Sequence, residues 1–501
     1  MKTKTTLLLI LVILVSMNSH AQDFFSKVLY NGNTYQIQAI SLTKTTDNQY
    51  VFAGYWEDWP TLPDNGLVVR FDEQGNIIWS KILVSPFSFT QFTDIIPTSD
   101  SGVIILGHSE SDILLVKMNQ QGNIVWAKKS DWEIGAIYTR AICPTLQHGF
   151  AIVGKYTETP VDSPHFTFVS TFDESGNHIW TDNFGLFDAK SIVQLPDSSL
   201  LVTGDGSWSY LMNLQNDGSV KWFKSINPDS YHAFSLHVTN EGIYSLFKIG
   251  NTSLGLHKQD FEFNQEWILQ IDLESGSFFN TNLHPKMIST PDSGIIIVNQ
   301  NNESGNLIKI TKDGTISWAK ELPFMVADLE TIGDSAYIIA GDGITWPVAL
   351  TRTDMNGNGS DCTIDINITS QFLSNTMVPD NISAFHQYDS FVDFTPVITD
   401  FQLTEQVGCV YDFIDENEPQ GTLQFVPNPA NESFKVEIDK LNINDFIQLE
   451  IRDISGRVIY QTNDQSCLTE SINLSQLHPG IYQVILMTKQ ARLSGKLAIA
   501  R

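Results

Sequence analysis

Apolar residues come in short runs along this chain, separated by clusters of Asp, Asn, Ser and Gly. One stretch shows the pattern clearly. FTDIIPT (Phe92 to Thr98), GVIILGH (Gly102 to His108), DILLVKMN (Asp112 to Asn119) and NIVWAKK (Asn123 to Lys129) follow one another with only turn signals between them. Runs this short, rich in β-branched residues and bounded by turn residues, predict strands in antiparallel hairpins. Glycine in the intervening turns supplies the positive φ that tight hairpins need. Four such strands make one unit. The second strand of that unit recurs as YVFAG (Tyr50 to Gly54), FAIVG (Phe150 to Gly154), LLVTG (Leu200 to Gly204), GIYSLF (Gly242 to Phe247), GIIIV (Gly294 to Val298) and AYIIAG (Ala336 to Gly341).

A phrase marks the end of each unit. It reads DEQGNIIW (Asp72 to Trp79), NQQGNIVW (Asn119 to Trp126), DESGNHIW (Asp173 to Trp180), NDGSVKW (Asn216 to Trp222) and KDGTISW (Lys312 to Trp318). Weaker copies are LESGSFF (Leu273 to Phe279) and DMNGNGSD (Asp354 to Asp361). The first and last of these seven glycines lie 282 residues apart over six intervals, 47 per unit. Strand-rich repeats of that length predict propeller blades, and the count predicts seven. FFSKVLY (Phe24 to Tyr30) matches the strand WSKILV (Trp79 to Val84) and has no unit of its own. It is expected to complete the last blade, closing the ring and hiding an edge. The five repeat tryptophans are expected to be buried between blades.

Beyond the repeats, residues 362–412 break the period as a strand-like extension between two cysteines, and 413–422 are an acidic linker holding Pro and Gly. Residues 423–501 carry several short strands that predict a small β-sandwich. The fold class is therefore all-β: a propeller over 22–361, then the extension, the linker and the sandwich.

Charge and termini narrow the setting. The net charge of −28 repels nucleic acid and anionic membrane surfaces. Lys2 and Lys4, the apolar run Leu7 to Val15, and Ser19-His20-Ala21 form a secretory signal over residues 1–21. No other segment is apolar enough to span a bilayer. Export permits disulfides. Of Cys143, Cys362, Cys409 and Cys467, Cys362 and Cys409 bracket one segment and are the expected pair, although four cysteines allow three pairings.

Chemistry is sparse. HExxH, GxSxG, the phosphate loop and CxxC do not occur, and the 11 histidines show no metal-ligand spacing. Gly333-Asp334-Ser335 resembles the start of some esterases but occupies a repeat turn. DMNGNGSD alternates oxygen side chains as calcium loops do, without the distal Glu of an EF-hand, and also aligns with a turn. Neither a catalytic residue nor a cofactor is expected. Six tryptophans lie outside the phrase. Trp56, Trp59, Trp132, Trp208 and Trp346 map to connections on one face of the disc, with Tyr55 and Tyr156 beside them; Trp267 does not. Aromatics in loops on a rigid scaffold predict a recognition surface, with a glycan as the preferred ligand. The opposing expectation is that these rings pack under long loops.

The D-x-x-G-N-x-x-W phrase, preceded by T-x-D-G/S-G, resembles repeats in exported proteins of Bacteroidetes-type bacteria. More distantly it resembles the tryptophan-docking repeats of quinoprotein dehydrogenases, whose adjacent cysteine pair this chain lacks. In the last domain, Pro427-Asn428-Pro429, Gly456-Arg457, Pro479-Gly480-Ile481-Tyr482 and Lys496 resemble the C-terminal sorting domain of the type IX secretion system. That resemblance implies handling by the type IX machinery and delivery to the outer-membrane surface or the medium. The expected function is a secreted, non-catalytic module binding a glycan or protein. The alternatives are a polysaccharide-active enzyme on the same scaffold and a structural surface protein.

Overall fold

The computed structural model describes residues 25–30, 36–57, 65–84, 91–109, 111–132, 135–158, 165–185, 188–206, 209–226, 231–250, 252–273, 285–300, 304–342, 348–359, 363–366, 368–373, 377–380, 382, 384–385, 390–407, 423–431, 433–438, 446–452, 458–468, 471–473, 477–478, 480–488 and 492–500. The signal segment lies outside them. The chain divides into two units, Met1–Cys409 and Val410–Arg501.

The first unit is a seven-bladed β-propeller. Blade 1 is Gln36–Lys44, Tyr50–Glu57, Asn65–Phe71 and Ile77–Val84, in that order from the axis outward. Blades 2 to 6 repeat the plan, beginning at Gln91, Ile137, Asp188, Tyr231 and Lys286. Blade 7 takes three strands from Met325–Ile332, Ala336–Asp342 and Val348–Asp354, and its fourth from the N-terminal Ser26–Tyr30. Ser26 pairs with Thr351 and Leu29 with Val348, so the first strand of the chain closes the ring.

The repeat phrase is a turn and an interlock. Asp72 accepts the backbone N–H of Gln74 and Asn76 at 3.0 and 2.8 Å, and Asn76 returns its amide to Asp72 at 2.9 Å. The same staple recurs at Asp173 with Asn177 and at Asp260 with Asn264. Gly75, Gly122, Gly176, Gly218, Gly314 and Gly357 of these turns all have positive φ. Each lies under an aromatic ring from the preceding blade. A Cβ on Gly122 would come 3.0 Å from Trp79, and one on Gly176 2.9 Å from Trp126. Trp79 and Trp180 also donate their indole N–H to backbone carbonyls of the neighbouring turn, Gln120 and Asn216, at 3.0 and 2.9 Å.

This interlock corrects the reading of the fifth unit. Its turn is Asp260 to Asn264, with Phe263 at φ 64° where the other turns carry glycine. Phe263 meets Trp222 of blade 4 edge-on at 4.4 Å. Trp267 stands at the repeat position after that turn, close to Gly314 of blade 6. It is a sixth repeat tryptophan. LESGSFF extends beyond the described residues.

The extension is a belt. Ile364–Asp365 pairs with blade 6, Thr369–Leu373 with blade 5, Met377–Asp380 with blade 4, Ala384–Phe385 with blade 3, Phe391–Asp393 with blade 2, Val397–Asp400 with blade 1 and Thr404–Val407 with blade 7. Every blade thus gains a fifth, antiparallel outer strand from one segment that runs backwards round the ring. Edge strands are open templates for mispairing, and here all seven are covered. Lys128 faces Asp393 at 2.8 Å and Lys320 faces Asp365 at 2.5 Å across the pairing, and Lys27 reaches Glu405 at 3.0 Å. Apolar belt residues seal the rim of the clefts between blades. Phe401 is 8% exposed in the core of blades 7 and 1. Phe394 and Ile398 pack between blades 1 and 2, and Phe391 between blades 2 and 3.

The second unit has a three-stranded and a four-stranded antiparallel sheet. Phe425, Phe434, Val436, Leu449, Ile451, Val484, Leu486 and Leu497 form its core. Asn428 of the Pro-Asn-Pro motif accepts the Ala498 N–H at 2.9 Å and donates to the Lys496 carbonyl at 2.8 Å, tying the motif to the last strand. Tyr482 donates to the His478 carbonyl at 2.7 Å. Gly456, Arg457 and Pro479 lie outside the described residues.

Candidate functional site: the axial channel

The inner strand of six blades carries a bulge, for example between Ala39 and Ser41 and between Phe92 and Asp94. The bulge pushes a carbonyl of the inner strand towards the second strand. A Cβ on Gly54 would meet the Gln38 carbonyl at 1.8 Å, and one on Gly107 the Gln91 carbonyl at 2.6 Å. This contact accounts for the glycine in the repeated second strand. Beyond the bulge the registers place one residue of each blade in a ring: Ser41, Asp94, Ala141, Ser191, Ser235, Lys286 and Asp328. These residues line an axial cavity of about 340 Å³.

Three of them tie blade to blade. Asp328 accepts the Leu42 N–H at 3.0 Å, Asp94 that of Ile142 at 3.0 Å, and Ser191 that of Leu236 at 3.1 Å. Lys286 crosses the channel. Its ammonium group lies 2.7 Å from Asp328, 2.9 Å from Ser41 and 3.9 Å from Asp94. Burial would depress Lys286, but Asp328 and Asp94 more than offset it and the amine is raised above its ordinary range. Burial pushes the Asp94 carboxyl up despite Lys286. At this level the channel is pinned by an ion-paired lysine.

A second cluster lines the wall formed by blades 3 and 4. Asp188 receives Lys190 at 2.8 Å, Lys155 at 3.0 Å and Arg140 at 3.3 Å. Burial would raise Asp188, yet Arg140, Lys190 and Lys155 hold it well below the usual carboxylate range. Arg140 and Lys190 are the bulged residues of their strands and face the cavity. Lys155 lies 5.3 Å over the ring of Tyr138, which is 39% exposed. Asp205 caps the far side, accepting the Ala233 N–H at 2.6 Å with His232 at 3.6 Å.

The aromatic residues expected to form a recognition surface sit elsewhere. Tyr55, Trp132 and Tyr156 are buried. Trp132 is enclosed by Phe168 at 5.3 Å and Phe391 of the belt at 5.8 Å. Trp56 is half-buried against Phe401 of the belt at 5.4 Å. These four are packing residues: Tyr55, Trp56 and Tyr156 end the second strands of their blades, Trp132 follows a fourth strand, and belt or neighbouring rings close over Trp56 and Trp132. Trp59, Trp208 and Trp346 lie outside the described residues, as do Cys362 and Cys409. Sequence reasoning missed Arg140, Lys155 and Lys190, which are scattered over two blades and become neighbours only through the bulges.

Catalytic and metal-binding arrangements are thin. Gly333-Asp334-Ser335 is the turn between two strands, with the Ser335 N–H and hydroxyl both on the Ile332 carbonyl at 3.2 and 3.1 Å. In DMNGNGSD, Asp354 accepts the N–H of Asn356 and of Asn358, each at 2.8 Å, as in the other repeat turns. No group of three metal-ligating side chains occurs among the described residues. His237 contacts Ser289 of the next blade at 2.6 Å, but burial lowers its imidazole to about 4, which makes it a weak base.

Residues 424–500 match the family described as secretion system C-terminal sorting domain. No curated protein matches the chain by sequence. Among solved structures, a streptogramin B lyase is 12% identical, covering 66% of this chain and 97% of its own, with a TM-score of 0.46. A catalytically inactive variant of virginiamycin B lyase from Staphylococcus aureus, bound with quinupristin, is 11% identical over 66% of this chain and 99% of its own, with a TM-score of 0.46. The Dos1 propeller is 10% identical over 66% and 95%, with a TM-score of 0.42. No helix among the described residues is long and apolar enough to cross a membrane. The chain is a β-propeller protein that carries a type IX secretion system sorting domain and is exported to the cell surface or beyond it.

Proposed function

We propose that the exported propeller is a non-catalytic binding module for a glycan or protein ligand that bears a carboxylate, taken at the axial channel between blades 3 and 4. One observation carries the reading. In a chain of net charge −28, three cations, Arg140, Lys155 and Lys190, gather beside the cavity around Asp188, with Asp205 on the far side. A group of that polarity attracts an anion from an otherwise repelling surface. Arg140 supplies a planar fork suited to carboxylate, and the two lysines supply point charges. The experiment is an array of acidic and neutral oligosaccharides and peptides probed with the exported protein, followed by product analysis of any hit. Capture of carboxylate-bearing members without turnover supports the proposal. Turnover of a captured saccharide would replace it with the enzymatic alternative.

A further inference from the structure

We infer that the channel site takes a hexuronate residue of an acidic polysaccharide, with Tyr138 as the platform for the sugar ring and Arg140 and Lys190 as the holders of its carboxylate. The inference rests on the proposed carboxylate-binding function and names the class of ligand. Its basis is an aromatic ring set into the cation cluster. Tyr138 stands two residues before Arg140 on the inner strand of blade 3, about 7 Å along the strand. It pairs across the hairpin with Lys155, whose ammonium lies 5.3 Å over the ring. Lys155 and Arg140 both reach Asp188 of blade 4. Ring and guanidinium therefore share one side of blade 3.

The repeat does not call for an aromatic at this place. The registers set Tyr138 level with Gln38, Gln91, Asp188, His232 and Met325 of other blades. The ring is also held. His108 of blade 2 meets it at 5.7 Å, inclined by 63°, and Thr139 fixes His108 at 3.1 Å. Tyr138 nevertheless stays 39% exposed. Two exposed imidazoles flank the cluster: His165, which feels the charges of Lys155, Asp188 and Arg140, and His232 beside Asp205.

A hexuronate matches this set. The C–H face of a pyranose carries slight positive charge and is drawn to the negative face of an aromatic ring. Its carboxylate projects from the ring edge, where the planar Arg140 fork accepts it in two hydrogen bonds and Lys190 adds a point charge. The imidazoles offer neutral partners to its hydroxyls. A peptide finds less here. Extended peptides gain affinity by pairing with a strand edge, but the inner-strand N–H groups around the site are engaged. Ile142 donates to Asp94 at 3.0 Å, Ala233 to Asp205 at 2.6 Å and Leu236 to Ser191 at 3.1 Å.

The test compares binding of a galacturonate tetramer, its methyl ester and a glutamate tetrapeptide to the exported protein and to Tyr138→Leu and Tyr138→Phe, with circular dichroism as the folding check. The galacturonate tetramer should bind best, and its methyl ester at least about tenfold more weakly. Tyr138→Leu should weaken the tetramer about threefold to tenfold, whereas Tyr138→Phe, which keeps the ring, should stay within about twofold. Saturation-transfer NMR on the unaltered protein needs no variant: irradiated aromatic protons should pass magnetisation to the pyranose C–H protons. A glutamate tetrapeptide that binds as tightly as the sugar and ignores Tyr138→Leu would overturn the hexuronate and leave the carboxylate reading standing. Absence of transfer to the bound sugar would overturn the platform. Binding of neither carboxylate ligand would overturn both readings.

Discussion

Phe25 lies over Gly75, so that a Cβ on Gly75 would meet its ring at 2.5 Å. The contact joins the first strand of the chain, outermost but one in blade 7, to the turn of blade 1. It is the seventh instance of the aromatic-over-turn interlock, and the one that closes the ring. Gly75 also has φ 72°. Gly75→Ala therefore strains the backbone by about 1–2 kcal/mol before the ring is displaced. Gly185, with nothing within 4 Å of a built Cβ, is the control. Urea unfolding should show Gly75→Ala destabilised by at least that amount and Gly185→Ala nearly unchanged. Equal effects would mean that the interlock contributes nothing to closure.

The belt is expected to be part of the core. Phe401 is 8% exposed and packs on Trp56. Phe401→Ala should cost about 3–4 kcal/mol. By contrast, Asp400→Ala removes a carboxylate that is 75% exposed and should cost well under 1 kcal/mol. A loss below about 1 kcal/mol for Phe401→Ala would mean that the belt merely lies on the rim.

Lys286 is the only cation reaching Asp94 and Asp328 among the described ion pairs. Lys286→Met keeps most of the side-chain volume and leaves two carboxylates facing a cavity. Breaking one side of such a pair costs about 3 kcal/mol. The deficit should shrink in acid, where Asp94, already raised by burial, takes up a proton. A variant as stable as the parent at neutral pH would show that the channel is hydrated enough to hold the bare carboxylates.

The titration of stability follows from groups buried neutral. Burial, reinforced by Asp328, raises Glu330 from 4.5 to about 7. A raised carboxyl contributes stability that is complete below 4.5 and lost as pH rises through about 7. His108, His237 and His257 are lowered by burial from 6.5 to about 4. Their contribution is present above 6.5 and lost as pH falls through about 4. The two windows overlap, and three histidines outweigh one carboxyl, so melting temperature should rise from about pH 4 to about 6.5 and turn down between there and about 7. Glu330→Gln should remove the downturn above about pH 6.5 and steepen the rise below it. An unchanged alkaline slope in that variant would assign the loss to other groups.

The blade plan was legible because each strand repeats a local rule: a run of β-branched residues, an Asx-stapled turn and an aromatic. The closing strand was legible because Ser26, Lys27, Val28 and Leu29 repeat the step after Trp79. The fifth unit was misplaced because Phe263 takes a left-handed turn conformation that glycine normally marks. The belt was read only as an extension, since its pairing partners lie from 43 residues away (Ile364 with Glu321) to 380 (Val407 with Lys27) and its strands are too short to show a period. Of the expected aromatic surface, Tyr55, Trp56, Trp132 and Tyr156 are packed away for a related reason, while Trp59, Trp208 and Trp346 lie outside the described residues. Reading Trp56 and Trp132 as connection residues suggested exposure, but Trp56 is still in its strand, and Phe401 and Phe391 arrive from the belt to cover both rings. The cation cluster needed the bulges of two blades, which no local pattern announces.

The central functional claim concerns Arg140, Lys155 and Lys190, and its direct measurement is the binding of carboxylate-bearing array members by wild type and by the variant Arg140→Gln, Lys190→Gln. The account predicts that neutral analogues do not bind, that the double variant loses at least about tenfold in affinity while keeping its fold, and that binding weakens as salt rises. Equal binding by the folded double variant, or a preference for neutral members, would contradict it.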